Sequence, residues 1–80
     1  MKKEQLSEVR WHCRRGMREL DVLLMRYVDR DFLRTDRAHQ KAFETLLSLQ
    51  DPEILALLTG RVVAEDVRLQ DVVQRLLSNT

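Results

Sequence analysis

A chain of 80 residues, 44% apolar and 34% charged, is long enough for one small domain with a core of its own and too short for a second. Lysine and arginine exceed aspartate and glutamate by 14 − 13 = +1, so no overall field marks nucleic acid as the partner, and the single Cys13 excludes an internal disulfide framework. The longest uninterrupted apolar run, Ile54 to Leu58, falls far short of the roughly 20 residues of a spanning helix, and Met1-Lys2-Lys3-Glu4-Gln5 leads into no secretory stretch. The expectation is a soluble, cytoplasmic protein with no direct insertion into a membrane.

Glycine and proline are scarce, two and one, and no run alternates apolar and polar residues as a half-buried strand does. The prediction is an all-α fold of five helices in a single domain over 1–80, with 1–5 and 78–80 frayed. The first helix runs from about Leu6 to Arg15 with Leu6, Val9 and Cys13 on one face, and Gly16 is free to take the left-handed conformation that closes a helix. The second starts at once with Met17, carries Leu20, Leu23, Leu24, Tyr27 and Val28 at helical spacing, and ends near Arg30 or Phe32. A tight hairpin with almost no loop is therefore expected. Thr35 or Asp36 caps a third helix whose inner face is His39, Ala42, Phe43, Leu46 and Leu47. Asp51-Pro52-Glu53 reads as an N-cap followed by proline at the first helical position, with Gly60 closing the short helix Pro52 to Leu58. The last helix, from about Asp66 to Leu77, shows Leu69, Val72, Val73, Leu76 and Leu77 as one stripe.

Catalytic and metal chemistry find little to work with. His12 and Cys13 are adjacent on a helix and point about 100° apart, so they cannot form a nucleophile and base pair. Cys13 belongs on the inner face of the first helix, and His39 on the stripe of the third, as a satisfied boundary histidine. One cysteine and two histidines at 12, 13 and 39 match no zinc spacing, and no glycine-rich phosphate loop is present. No enzymatic activity is expected.

What remains is the basic N-terminal quarter. Residues 1–20 carry six Lys and Arg against three Glu, whereas residues 41–60 carry one against three acids. With Val9 and Cys13 inward, Trp11 lies about 160° to 200° away from both, which directs the only tryptophan toward solvent. An outward tryptophan among arginines is the composition of an interaction hot spot, while a ring folded down against the last helix is the alternative. Arg14, Arg15 and Glu19 also suit the two helix ends they occupy.

Trp11-x-Cys13-Arg14-Arg15-Gly16-Met17-x-Glu19-Leu20-Asp21, with Arg15-Gly16-x-x-Glu19 at its centre, resembles the signature of the small succinate dehydrogenase flavinylation factors, the SdhE-like assembly factors. The resemblance continues through Ala42-Phe43-x-x-Leu46-Leu47 and Asp51-Pro52-Glu53-x-Leu55, covering about residues 6 to 77. It departs at Arg26-Tyr27-Val28, where the family often carries proline and two aromatics, and at Leu57, where it often carries tryptophan. The resemblance implies an assembly factor that assists covalent attachment of FAD to the flavoprotein subunit of succinate dehydrogenase, and in some cases of fumarate reductase. It implies no cofactor held by this chain itself. By position, Arg15, Gly16 and Glu19 inherit the principal partner contacts, with Arg14, Met17 and Trp11 as neighbours. An antitoxin-like regulator is the alternative reading. A nucleic-acid binder is disfavoured because Arg18, Arg26 and Arg30 are interleaved with Glu19, Asp21 and Asp29, leaving no continuous basic stripe.

Overall fold

Among the described residues the apolar stripes become five α-helices and one 3-10 turn: α1 Lys3–His12, α2 Arg18–Arg30, the turn Phe32–Arg34, α3 Arg37–Leu47, α4 Asp51–Leu58 and α5 Val67–Leu77. The computed structural model describes the backbone of residues 3–78 and the side chains of residues 4–78. Among them there is no strand, and no helix is long and apolar enough to cross a membrane.

No helix of 8 to 13 residues is stable in water alone, so each persists by burying its stripe against the others. The shared core takes Val9 and Cys13 from α1, Leu20, Leu24, Tyr27 and Val28 from α2, and Ala42, Phe43, Leu46 and Leu47 from α3. Ile54, Leu57 and Leu58 of α4 and Val72, Val73 and Leu76 of α5 complete it. Its aromatic centre is Phe43, stacked on Tyr27 at 4.6 Å between ring centroids and tilted against Phe32 at 5.5 Å. Of the positions where the sequence departs from the resemblance, Tyr27, Val28 and Leu57 are buried in the core and Arg26 is exposed.

The helix boundaries differ from the periodicity in instructive ways. α1 begins at Lys3, so Glu4 and Gln5 are helical rather than frayed, and it ends at His12 rather than Arg15. Cys13 and Arg14 donate to the carbonyls three residues back, Arg10 and Trp11, at 3.1 Å each. That tightened last turn stops the helix, and a connection over 13–17 replaces the expected near-absence of a loop. α4 starts at Asp51 with Gln50 as its N-cap, and Glu53 reaches back to the Gln50 N–H at 3.1 Å, as in a capping box. Asp36 caps α3 through the His39 N–H at 2.8 Å, and Asp66 caps α5 through the Arg68 N–H at 2.8 Å. Leu77, expected on the inner stripe of α5, is exposed, whereas Leu76 beside it is buried. Of the residues expected to fray at the ends, Met1, Lys2, Asn79 and Thr80 lie outside the described residues.

Candidate functional site

The connection from α1 to α2 is a built turn. Gly16 has φ +89°, a backbone conformation that L side chains rarely adopt, and it redirects the chain into α2 four residues after α1 has ended. A Cβ added there would meet no heavy atom within 4 Å, so the glycine answers to backbone conformation, and the space beside it is open. Met17 follows in extended conformation, and its carbonyl accepts the Asp21 N–H at 2.8 Å. The Asp21 carboxylate in turn accepts the Arg15 backbone N–H at 2.7 Å.

Arg15 faces inward. Its Nε donates to Asp51 Oδ1 at 2.8 Å and its Nη1 to the Leu47 carbonyl at 2.7 Å, while Nη2 donates to the Leu49 carbonyl. One guanidinium therefore satisfies carbonyls left over at the C-terminal end of α3 together with a carboxylate at the start of α4, using the planar fork that lysine lacks. The side chain is 16% exposed. Its geometry makes Arg15 the anchor of the turn, with its fork committed inside the chain.

Trp11, Arg14, Met17 and Glu19 of the signature are displayed on the surface around that anchor, whereas Cys13 and Leu20 are buried in the core. Trp11 is 66% exposed, which settles its direction: it does not fold against α5. Arg14, Gly16 and Glu19 are exposed, and so is Met17. Arg14 and Glu19 make no ion pair among the described residues, whereas Arg10 is paired with Asp29 of α2 at 2.6 Å. Val22, one turn beyond Glu19, is also exposed and extends the apolar character of this face along α2. Val22 is not among the residues expected at this site, and Asp21 and Asp51, present in the signature and as an expected N-cap, prove to be supporting carboxylates of Arg15. For Val22 a signal existed, since it is apolar yet off the Leu20, Leu24 and Val28 stripe.

The other candidate groups are accounted for structurally. Cys13 is fully buried, and burial pushes its thiol up to about 12, so it stays protonated and unreactive. His39 bridges two helices: Nδ1 lies 2.7 Å from Asp36 Oδ1 and Nε2 lies 2.8 Å from Asp71 Oδ2. A neutral imidazole donates from only one nitrogen, so two carboxylate partners favour the doubly protonated ring. Hydrogen bonding to Asp36 raises the His39 pKa above its ordinary value, with Asp71 acting in the same direction against burial. Among the described residues no group of three or more His, Cys, Asp or Glu is placed to hold a metal ion.

Known proteins resemble this chain over most of its length. The FAD assembly factor SdhE of Colwellia psychrerythraea is 44% identical over 71 residues, covering 89% of this chain and 78% of that protein. The protein of the same name from Methylococcus capsulatus is 40% identical over 72 residues, 90% and 87% of the two chains, and that from Coxiella burnetii is 33% identical over 70 residues, 88% and 85%. The family profile described as flavinator of succinate dehydrogenase matches residues 7–80, and the chain belongs to that family.

Proposed function

We propose that this chain is an assembly factor that binds the flavoprotein subunit of succinate dehydrogenase, and of fumarate reductase where that enzyme is present, and promotes covalent attachment of FAD. The observation that carries this reading is the signature turn itself: Trp11, Arg14, Met17 and Glu19 are presented to solvent around an open left-handed glycine, on a backbone that Arg15 locks to α3 and α4. A displayed aromatic and unpaired charges on a rigid base have the makeup of a protein-binding hot spot.

Covalent flavinylation requires the flavin C8 methyl close to a histidine of the client and charge stabilised on the isoalloxazine as that methyl loses a proton. A flexible client populates such a geometry part of the time, and a binder selective for it raises its population. In this reading Gly16 permits close backbone approach, Glu19 pairs with a cationic group on the client, Trp11 and Met17 supply apolar contact, and Arg14 adds charge at the rim. Arg15 serves the contact by holding the turn in shape. FAD is carried by the client, and this chain contributes no bond-making group.

The test is copurification. A tagged copy should bring down a flavoprotein of dehydrogenase size, and Glu19→Ala should lose it while remaining folded. Recovery of a small toxin-like protein in its place would favour the antitoxin alternative.

A further inference from the structure

Beyond the signature turn, the molecule carries a second surface with opposite charge. The connection between α4 and α5 is tied at both ends. The Arg61 and Val62 N–H groups donate to the Ala56 carbonyl at 3.0 and 3.3 Å, Gly60 takes φ +80°, and the Ala64 N–H donates to the Gln70 side chain at 3.0 Å. Despite this fixed backbone, Val62 and Val63 point outward, 53% and 68% exposed. They continue with Leu49, Ala56, Leu57 and Leu69 into a groove of about 870 Å³. Single exposed apolar residues are ordinary, but a contiguous apolar groove held open by an ordered loop is the pattern of a docking surface.

The rim says what would dock. Glu53, Glu65 and Asp66 line the groove, and no basic residue does, although Arg61 and Arg68 lie in the same stretch of chain. The groove also begins where the Arg15 anchor ends: Leu49 accepts the guanidinium through its carbonyl and lines the groove with its side chain. We infer that this groove is a second contact for the same client and receives a segment carrying apolar side chains flanked by Lys or Arg. This rests on the proposed binding to the flavoprotein subunit. Two contacts of opposite sign, the basic face at Arg14 and the acidic groove, would fix the orientation of the client as well as its affinity.

The experiment uses the purified flavoprotein subunit as probe, with biolayer measurements on the full chain and on Val63→Asp and Glu65→Lys. Both positions are exposed, so circular dichroism should be unchanged. Each variant is expected to raise Kd about 5- to 20-fold. With the photo-cross-linker p-benzoylphenylalanine at position 63, the adduct is expected on a client peptide rich in Lys or Arg and apolar residues. Unchanged Kd for both variants, an adduct on an acidic client segment, or an adduct to a second copy of this chain would each overturn the inference while leaving the binding itself standing. No binding by the unaltered protein would overturn both this inference and the functional reading beneath it.

Discussion

Arg15 Nε donates to Asp51 Oδ1 at 2.8 Å across 36 positions of sequence, and the same guanidinium holds the carbonyls of Leu47 and Leu49. The turn that displays Trp11, Arg14, Met17 and Glu19 is thereby fixed to the corner between α3 and α4. Asp51 can accept this bond because Gln50, one residue earlier, occupies the N-cap position.

Arg15→Ala should therefore act on stability first. Removing a partly buried guanidinium leaves several acceptors unpaired, at a cost of about 2 to 4 kcal/mol. Urea denaturation should show this, and Arg15→Lys should recover less than half of the loss because an ammonium cannot reproduce the fork. Glu19→Ala, at an exposed residue without an ion pair, should cost less than about 0.5 kcal/mol. Equal stability of Arg15→Ala and the parent would contradict the anchor.

Tyr27→Phe should be neutral or slightly stabilising. The Tyr27 hydroxyl is buried near the Thr35 side chain without a hydrogen bond of normal geometry, and the Thr35 hydroxyl is already donated to the Phe32 carbonyl at 2.8 Å. Deleting a buried polar atom with no partner costs nothing in bonding, while the ring keeps its stack on Phe43. Tyr27→Ala should instead lose about 3 to 5 kcal/mol. A fall of more than 1 kcal/mol for Tyr27→Phe, read from thermal melts, would reveal a bond that the structure does not contain.

Stability should depend on pH through His39. Its pKa is raised above the ordinary 6.5, so its contribution is complete below 6.5 and is lost as pH rises through the folded-state value. Asp36 is the opposite case: the His39 backbone N–H, and then the His39 ring, hold its carboxyl below the ordinary 3.8, so its contribution is complete above 3.8 and is lost as pH falls through the lowered value. Both contributions are full between those limits. Arg75, 3.4 Å from Asp71, and Arg68, near Asp36, share the same cluster. The urea midpoint of the parent should fall as pH rises above 6.5 through the raised value, and His39→Gln should flatten that fall. An unchanged slope in the variant would remove the imidazolium bridge from the account.

Much of the fold was legible because each stripe repeats within one helix: Phe43, Leu46 and Leu47 in α3 and Val72, Val73 and Leu76 in α5 are buried as their spacing demands. The same geometry allowed Trp11 to point outward but left open a ring folded against α5, and its 66% exposure decides between the two. The role of Arg15 was not legible, since its partners lie 32 to 36 residues away and no local pattern announces a guanidinium turned inward. The end of α1 was misplaced for a related reason. Cys13 continues the apolar spacing, but the Arg15 N–H is taken by Asp21, so the chain leaves the helix while its side-chain pattern is still helical.

Trp11 should report the encounter kinetically. Arg14 and Arg18 are cations without ion pairs among the described residues on the basic N-terminal quarter, so association with the flavoprotein should slow as salt rises. Trp11→Ala should raise the dissociation rate about tenfold, whereas neutralising Lys2 and Lys3 should barely change it. Stopped-flow measurements at two salt concentrations check both. A salt-independent association rate with a silent Trp11→Ala would remove the contact from this face.

The most direct measurement is covalent flavin in cells, read as in-gel fluorescence of the denatured flavoprotein subunit after deletion of the gene and complementation. The parent chain should restore the fluorescent band. Gly16→Arg should not, although the strain of a side chain at φ +89° costs only about 1 to 2 kcal/mol and space for it exists, so the helical circular dichroism should persist. A full fluorescent band from cells carrying only a folded Gly16→Arg would contradict the claim that the client is held at this turn.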